Sequence, residues 1–188
     1  MEMDTSTLLV SAMLYVFLPL WGIAGFVDWC CHRATKIEIT SGIKESLMHS
    51  LMGIQMGLPI LLCLLFKVNV LILLICIFTW VCHEIVAHCD VRYAAPRRVI
   101  SIWEMHAHTY LGSLPFYMLI SIFMINWDQF LLLITFNWAD NMSLALIEVP
   151  HGSSSYLPIY IAFMCILCVF PYIEENLRCL KVFYKKGI

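Results

Sequence analysis

The chain has 188 residues, of which 62% are hydrophobic and 13% are charged, and its formal net charge is −2. A soluble domain is about a quarter charged, so this chain has too little polar surface to cover a water-exposed globule. The small net charge excludes a general basic field for nucleic acid, and the length is too short for the repeated halves of a typical transporter. We therefore predict an all-α integral membrane protein with a single membrane domain over residues 1–188.

Five apolar stretches are long enough to cross a hydrocarbon core of about 30 Å at roughly 1.5 Å per helical residue. They lie at about 8–27, 46–66, 70–88, 102–125 and 156–173. The segment 129–138 is apolar but too short to cross, so we predict that it is interfacial or re-entrant. The acidic start of the chain is unlike a secretory signal, so we expect the first stretch to remain as a span.

The basic residues predict the orientation of these five spans. Five crossings place the loops at 28–45 and 89–101 and the C-terminal tail on one side, and ten of the eleven Lys and Arg residues lie there. Only Lys67 falls on the other side. Because Lys and Arg concentrate in cytoplasmic loops, we predict an N-terminus outside the cell and a C-terminus in the cytoplasm.

Four acid–histidine pairs with one spacing lie near the predicted cytoplasmic ends of the first four spans. With 13 acidic residues and 7 histidines in 188 positions, fewer than one such pair is expected by chance. Residues four apart share a helix face, so each pair can present a carboxylate oxygen and an imidazole nitrogen to one point. The pairs are Asp28 and His32, Glu45 and His49, Glu84 and His88, and Glu104 and His108.

These pairs predict a metal centre at the cytoplasmic ends of the helices. Mixed oxygen and nitrogen donors without thiolates suit two iron ions, with manganese and zinc as the alternatives. Glu84 and Glu104 are the predicted catalytic carboxylates that bridge the two metals, because spans three and four carry the densest sets of ligands. The competing explanation is that polar residues collect at span ends only because water is near.

Several other ionisable residues lie close to the same ends. His83 and His106 are additional ligands if their helices bend, and Asp90 is expected to orient ligating imidazoles. On the last span, Glu174 and Glu175 can reach the site, but the spacing favours pairing with Arg178.

A long apolar span is followed by the segment His83-Glu84-x-x-x-His88, and the next span begins with His106-x-His108. They resemble the histidine boxes of the membrane-bound di-iron superfamily of fatty acid desaturases, sterol and fatty acid hydroxylases and alkane hydroxylases. The resemblance covers about residues 28–108, with carboxylates in place of some of the family's histidines and no late histidine box. It implies a hydroxylase or desaturase that uses O₂.

We therefore predict a membrane di-metal oxidoreductase acting on a lipid or other apolar substrate. A soluble electron donor would dock on the cytoplasmic side, where Arg92, Arg97 and Arg98 lie. One alternative is a zinc-dependent membrane hydrolase with Glu84 or Glu104 as general base, although the excess of carboxylates disfavours it. The other is a metal-transport or haem membrane protein, although the exterior halves of the spans are apolar.

Overall fold

The structure is a computed structural model that describes residues 4–185, which are mostly helical. Five helices are long and apolar enough to cross a membrane, as the sequence predicts: α1 (Thr5–Ala34), α2 (Ile43–Leu65), α3 (Val70–Ala94), α4 (Ile102–Ile125) and α6 (Tyr156–Lys185). A short helix, α5 (Trp127–Ile134), follows α4, and a 3₁₀ turn (Ile37–Ile39) lies between α1 and α2. The predicted all-helical fold class is confirmed for the described residues.

Three of the long helices continue well past the apolar stretches that predicted them. They end at Ala34, Ala94 and Lys185, and α1 and α6 have 30 residues each. At about 1.5 Å per residue this length exceeds the hydrocarbon core. The predicted stretches are shorter because hydropathy detects only the apolar part of each helix. The residues of the acid–histidine pairs all lie within the helices.

Two helices begin with side-chain caps that fix the chain at opposite ends of the bundle. Before α3, the Asn69 side chain accepts hydrogen bonds from the backbone N–H groups of Leu71 and Ile72, at 3.0 and 3.3 Å. Before α4, the Ser101 hydroxyl accepts from the N–H of Glu104 at 3.2 Å. Such caps satisfy donors that have no partner within the helix. The second cap places the Glu104 carboxylate in the first turn of α4.

The five long helices form a closed ring in the order α1, α4, α3, α2, α6. α2 and α3 pack along each other, as the short turn between them predicts. α1 and α6 approach so closely that a Cβ atom at Gly22 would lie 2.9 Å from the Phe163 ring. One π-helical turn interrupts each of these two helices, at Met13–Phe17 and Cys165–Val169. The ring encloses one continuous interior.

The two ends of this interior differ in character. At the end near the α2–α3 turn it is apolar, with Leu14, Leu64, Met118 and Tyr160 among its buried residues. At the other end it is filled by ionisable side chains, described below. Burying charged groups is costly unless they are paired or bind metals, so this end needs a specific explanation.

The segment after α4 covers the apolar end of the ring. α5 packs through Leu133 on Val70 and Leu73 of α3, and its eight residues span only about 12 Å. The loop that follows is tied to the α2–α3 turn, because the Lys67 N–H donates to the Ala145 carbonyl at 2.8 Å and the Ile147 N–H to Leu65 at 3.0 Å. The interfacial or re-entrant placement of 129–138 relative to the bilayer stays a prediction.

Candidate metal centre

Nine ionisable side chains meet inside the ring at the end opposite the α2–α3 turn, and we call them the buried cluster. All five long helices contribute, and only His108 is more than slightly exposed. The cluster consists of Asp28, His32, Glu45, His49, Asp90, Arg98, Glu104, His108 and Glu175.

His32 and His49 lie at the centre of the buried cluster. Their rings stack, with centroids 4.3 Å apart and planes inclined by 9°. Glu175 bridges them, since its Oε2 lies 3.0 Å from Nδ1 of His32 and its Oε1 lies 3.0 Å from Nδ1 of His49. If each Nδ1 carries the proton and donates it to this carboxylate, the Nε2 lone pairs of both rings are free to bind a metal.

One potential metal site surrounds Nε2 of His32. Asp28 Oδ2 lies 3.4 Å and Glu104 Oε1 lies 3.5 Å from this nitrogen. His108 Nε2 adds a fourth donor, 3.0 Å from Asp28 Oδ1. These four residues place their ligand atoms within 4.8 Å of one another. Two imidazoles and two carboxylates are a donor set for iron, manganese or zinc.

A second potential site surrounds Nε2 of His49. Asp90 Oδ2 lies 3.3 Å and Glu45 Oε1 lies 3.9 Å from this nitrogen, and the three residues again fall within 4.8 Å. The sequence predicts that Asp90 only orients an imidazole, whereas the structure places its carboxylate beside the Nε2 atom that would bind the metal. Each of the two stacked imidazoles thus belongs to one of two neighbouring donor groups.

Arg98 joins these two groups. Its guanidinium donates to Glu45 at 2.9 Å from Nε and to Glu104 at 2.8 Å from Nη1, and Nη2 contacts both carboxylates. Burial disfavours its charged form, but the hydrogen bonds and charges of Glu104 and Glu45 outweigh this effect and raise the pKa of Arg98 above its usual range. The guanidinium is therefore a permanent cation inside the cluster.

The buried cluster is short of positive charge. Its five carboxylates face one guanidinium, which leaves four negative charges when the three imidazoles are neutral. Three of its buried atoms also lack a hydrogen-bond partner among the described residues, namely His32 Nε2, Glu45 Oε2 and Asp90 Oδ1, and a fourth, Asp28 Oδ1, is approached only by His108 Nε2. Unsatisfied buried carboxylate oxygens are costly, and all four atoms are of types that bind metals. The residues present therefore fit metal ions, and two divalent cations would balance the charge.

The structure does not bring four predicted ligands into the buried cluster. Glu84 and His88 are exposed on the outer face of α3, and His106 is exposed on α4. His83 is buried but belongs to none of the donor groups found among the described residues. Successive helical residues are rotated by about 100°, so when Asp90 faces inward, His88 faces nearly the opposite way. His106 is likewise two residues from the inward-facing Glu104.

The sequence does not place Arg98 in the buried cluster, and it places Glu175 there only as the less favoured of two alternatives. Arg98 lies in the α3–α4 loop, where the sequence predicts basic residues that set the orientation or receive an electron donor, but the structure buries it. No spacing links it to Glu45. The spacing favours pairing of Glu174 and Glu175 with Arg178. In the structure Glu174 makes this pair, at 3.2 Å, whereas Glu175 lies in the cluster. The sequence of α6 contains a pattern that could have indicated that Glu175 faces the interior. Glu175 lies at helical spacing with three other buried residues, Cys168, Pro171 and Cys179.

Comparisons with known proteins add no relative: no protein-family model matches the chain, and searches of curated proteins and of solved structures found no match.

Proposed function

We propose that this chain is a membrane-bound di-metal oxidoreductase that uses two iron ions and O₂ to hydroxylate or desaturate a lipid or other apolar substrate. The observation that carries the proposal is the pair of adjacent donor groups, in which five carboxylates and three imidazoles are buried with a single guanidinium. Neither group needs a residue from the other, so each can hold one ion. The stacked His32 and His49 rings bring the two groups next to each other, since each ring belongs to one group.

The chain's own residues have distinct parts in this proposal. Asp28, His32, Glu104 and His108 would hold one ion, and Glu45, His49 and Asp90 the other. Glu175 fixes both central imidazoles in the tautomer that binds metal, in the way that carboxylates commonly support histidine ligands. Arg98 holds Glu45 and Glu104 at a fixed separation and neutralises one charge.

The donor set favours iron chemistry over hydrolysis. Carboxylate-rich sites with imidazoles are the ligand type of soluble di-iron bundles, and such metals would supply activation of O₂. In a hydroxylation, one oxygen atom enters a C–H bond and the other leaves as water, which consumes two electrons and two protons from a reductant. A soluble electron donor would supply them, docking on the basic residues that surround the cluster end, which we propose is cytoplasmic.

The test follows a labelled oxygen atom. Iron-loaded protein in nanodiscs made from lipids of the expression host is given a chemical reductant and ¹⁸O₂, and the lipids are analysed by mass spectrometry. We expect lipid carrying ¹⁸O, or lipid that has lost two hydrogens, in the wild type and in Glu84→Gln. Glu104→Gln should form neither, because it removes a ligand. Iron-loaded wild-type protein that yields no O₂-dependent product would overturn the oxidoreductase, and O₂-independent cleavage of lipid would favour the hydrolase.

A further inference from the structure

An apolar cavity fills the ring on the other side from the buried cluster. Its volume is about 360 Å³, near the lower end of the roughly 300–1,000 Å³ typical of ligand pockets. Helices α1 to α4 and the loop after α5 supply its walls. Its deep end, towards the buried cluster, is lined by Leu18, Met56, Trp80 and Pro115. This space lies within the membrane-length part of the ring and is accessible to an apolar molecule.

The polar residues of the cavity lie at its other end. Lys67, Asn126 and His151 line it there, and no acidic residue among residues 4–185 does so. The Lys67 side chain is 53% exposed and pairs at 2.6 Å with Glu148, itself a largely exposed carboxylate. An exposed pair of this kind is weak, so an anionic group of a ligand can replace Glu148. The cavity is therefore amphipathic along its length, with its cationic end at the surface.

The length and volume of the cavity fit a single hydrocarbon chain of a ligand. From Pro115 to Asn126 the wall of α4 rises by about 16 Å, which an extended hydrocarbon of about a dozen carbons covers. A volume near the lower limit for ligand pockets holds one such chain, not the two of a phospholipid.

The long axis of the cavity runs towards the buried cluster, but the cavity ends before it reaches the cluster. Met56 lies seven residues after His49, and Pro115 lies seven residues after His108, a distance of about 10 Å along each helix. Trp21 packs on Met56 at this level. A chain in the cavity thus has its terminal carbons nearest to the cluster and its head farthest from it.

We propose that this cavity binds a single-chain amphiphile with an anionic head, held with the head at Lys67 and His151 and the chain end directed towards the buried cluster. Its role as substrate rests on the proposed function, whereas its binding does not. A carboxylate and a phosphate share the required chemistry, so a fatty acid and an alkyl phosphate are the two ligands to compare.

Photolabelling tests both the site and the direction. The full chain in nanodiscs, with and without iron, is incubated with myristic acid or myristyl phosphate that carries a terminal diazirine, and labelled peptides are mapped by mass spectrometry. We expect labels at Met56, Trp80 or Pro115, with or without iron. Labels concentrated at Ile147 and His151 would overturn the direction, and labels only at lipid-facing positions such as Phe78 would overturn the site.

Matched variants of α4 add a second test. Ile122 lines the cavity, whereas Ile120 is exposed on the outer surface of the same helix. Ile122→Trp should reduce labelling at least about tenfold, the effect of excluding about two buried methylenes, and Ile120→Trp should not. Equal labelling of the two variants would overturn the site, and if Ile122→Trp does not fold, the wild-type labelling pattern decides alone.

The head group is tested separately. Lys67→Ala should reduce labelling by the acid up to about fivefold, as expected for an exposed ion pair, without reducing labelling by the uncharged methyl ester. An equal effect on both probes would overturn the anionic head. Labelling by the phosphate and not by the acid would assign the phosphate. If the protein is shown to bind no metal but is still labelled in the cavity, the lipid-binding site is supported and the proposed oxidoreductase is overturned.

Discussion

Replacing Arg98 by Gln removes the only guanidinium of the buried cluster. In the metal-free protein Glu45 and Glu104 then lose their hydrogen bonds to Arg98 and remain buried without a cation. Removing one partner from a buried ion pair costs roughly 3–5 kcal/mol. Metal ions in the two donor groups would supply part of the missing charge, so the cost should be smaller in the loaded protein. Added metal should therefore stabilise Arg98→Gln more than it stabilises the wild type.

The assay is thermal unfolding of purified protein, with and without Fe²⁺ under anaerobic conditions. The matched control is Arg97→Gln, because Arg97 is exposed and stacks on Tyr93, 3.7 Å from its ring centroid, without contacting the cluster. We expect a clearly lower unfolding temperature for metal-free Arg98→Gln than for Arg97→Gln, and a larger rise on adding metal. If the two variants unfold alike, or if metal shifts both equally, the electrostatic reasoning is refuted.

Three further predictions concern the ligands and the topology. His32→Ala should lower bound iron while the exposed His88→Ala keeps it, as measured by metal analysis; equal loss in both would return His88 to the ligand set. Glu175→Gln should weaken metal affinity by about 10–100-fold in a metal titration, because an amide cannot accept from both imidazoles; unchanged affinity would remove its orienting role. Reporter fusions after Lys67 and after Ile188 should report opposite sides of the membrane; the same side for both would contradict five crossings.

The long helices were predictable because their signal is local. A membrane span needs only a sufficient run of apolar residues, and each of the five is present in the sequence. Where the helices end was less predictable, since polar residues such as Asp90 and Glu175 continue a helix as readily as they stop one. The sequence thus predicts which segments are helical better than how far each helix extends.

The buried cluster was predictable only where spacing and helix rotation agree. Asp28 and His32, Glu45 and His49, and Glu104 and His108 all face inward, but α3 carries ionisable residues on several faces. The spacing shows which residues share a helix face, but it does not show which face turns towards the interior. Glu84 and His88 share one face of α3, and in the structure that face is exposed. That choice is made by packing of α3 against α2 and α4, a tertiary effect that the local pattern does not contain.

Metal content is the measurement that tests the central claim most directly. Protein purified from cells grown with iron should contain two iron ions per chain, with a Mössbauer spectrum that shows two iron sites. The double variant His32→Ala with His49→Ala should contain none, while the double variant His88→Ala with His106→Ala should match the wild type. A wild-type protein that stays metal-free after reconstitution, or that binds one zinc ion and no iron, would contradict the account.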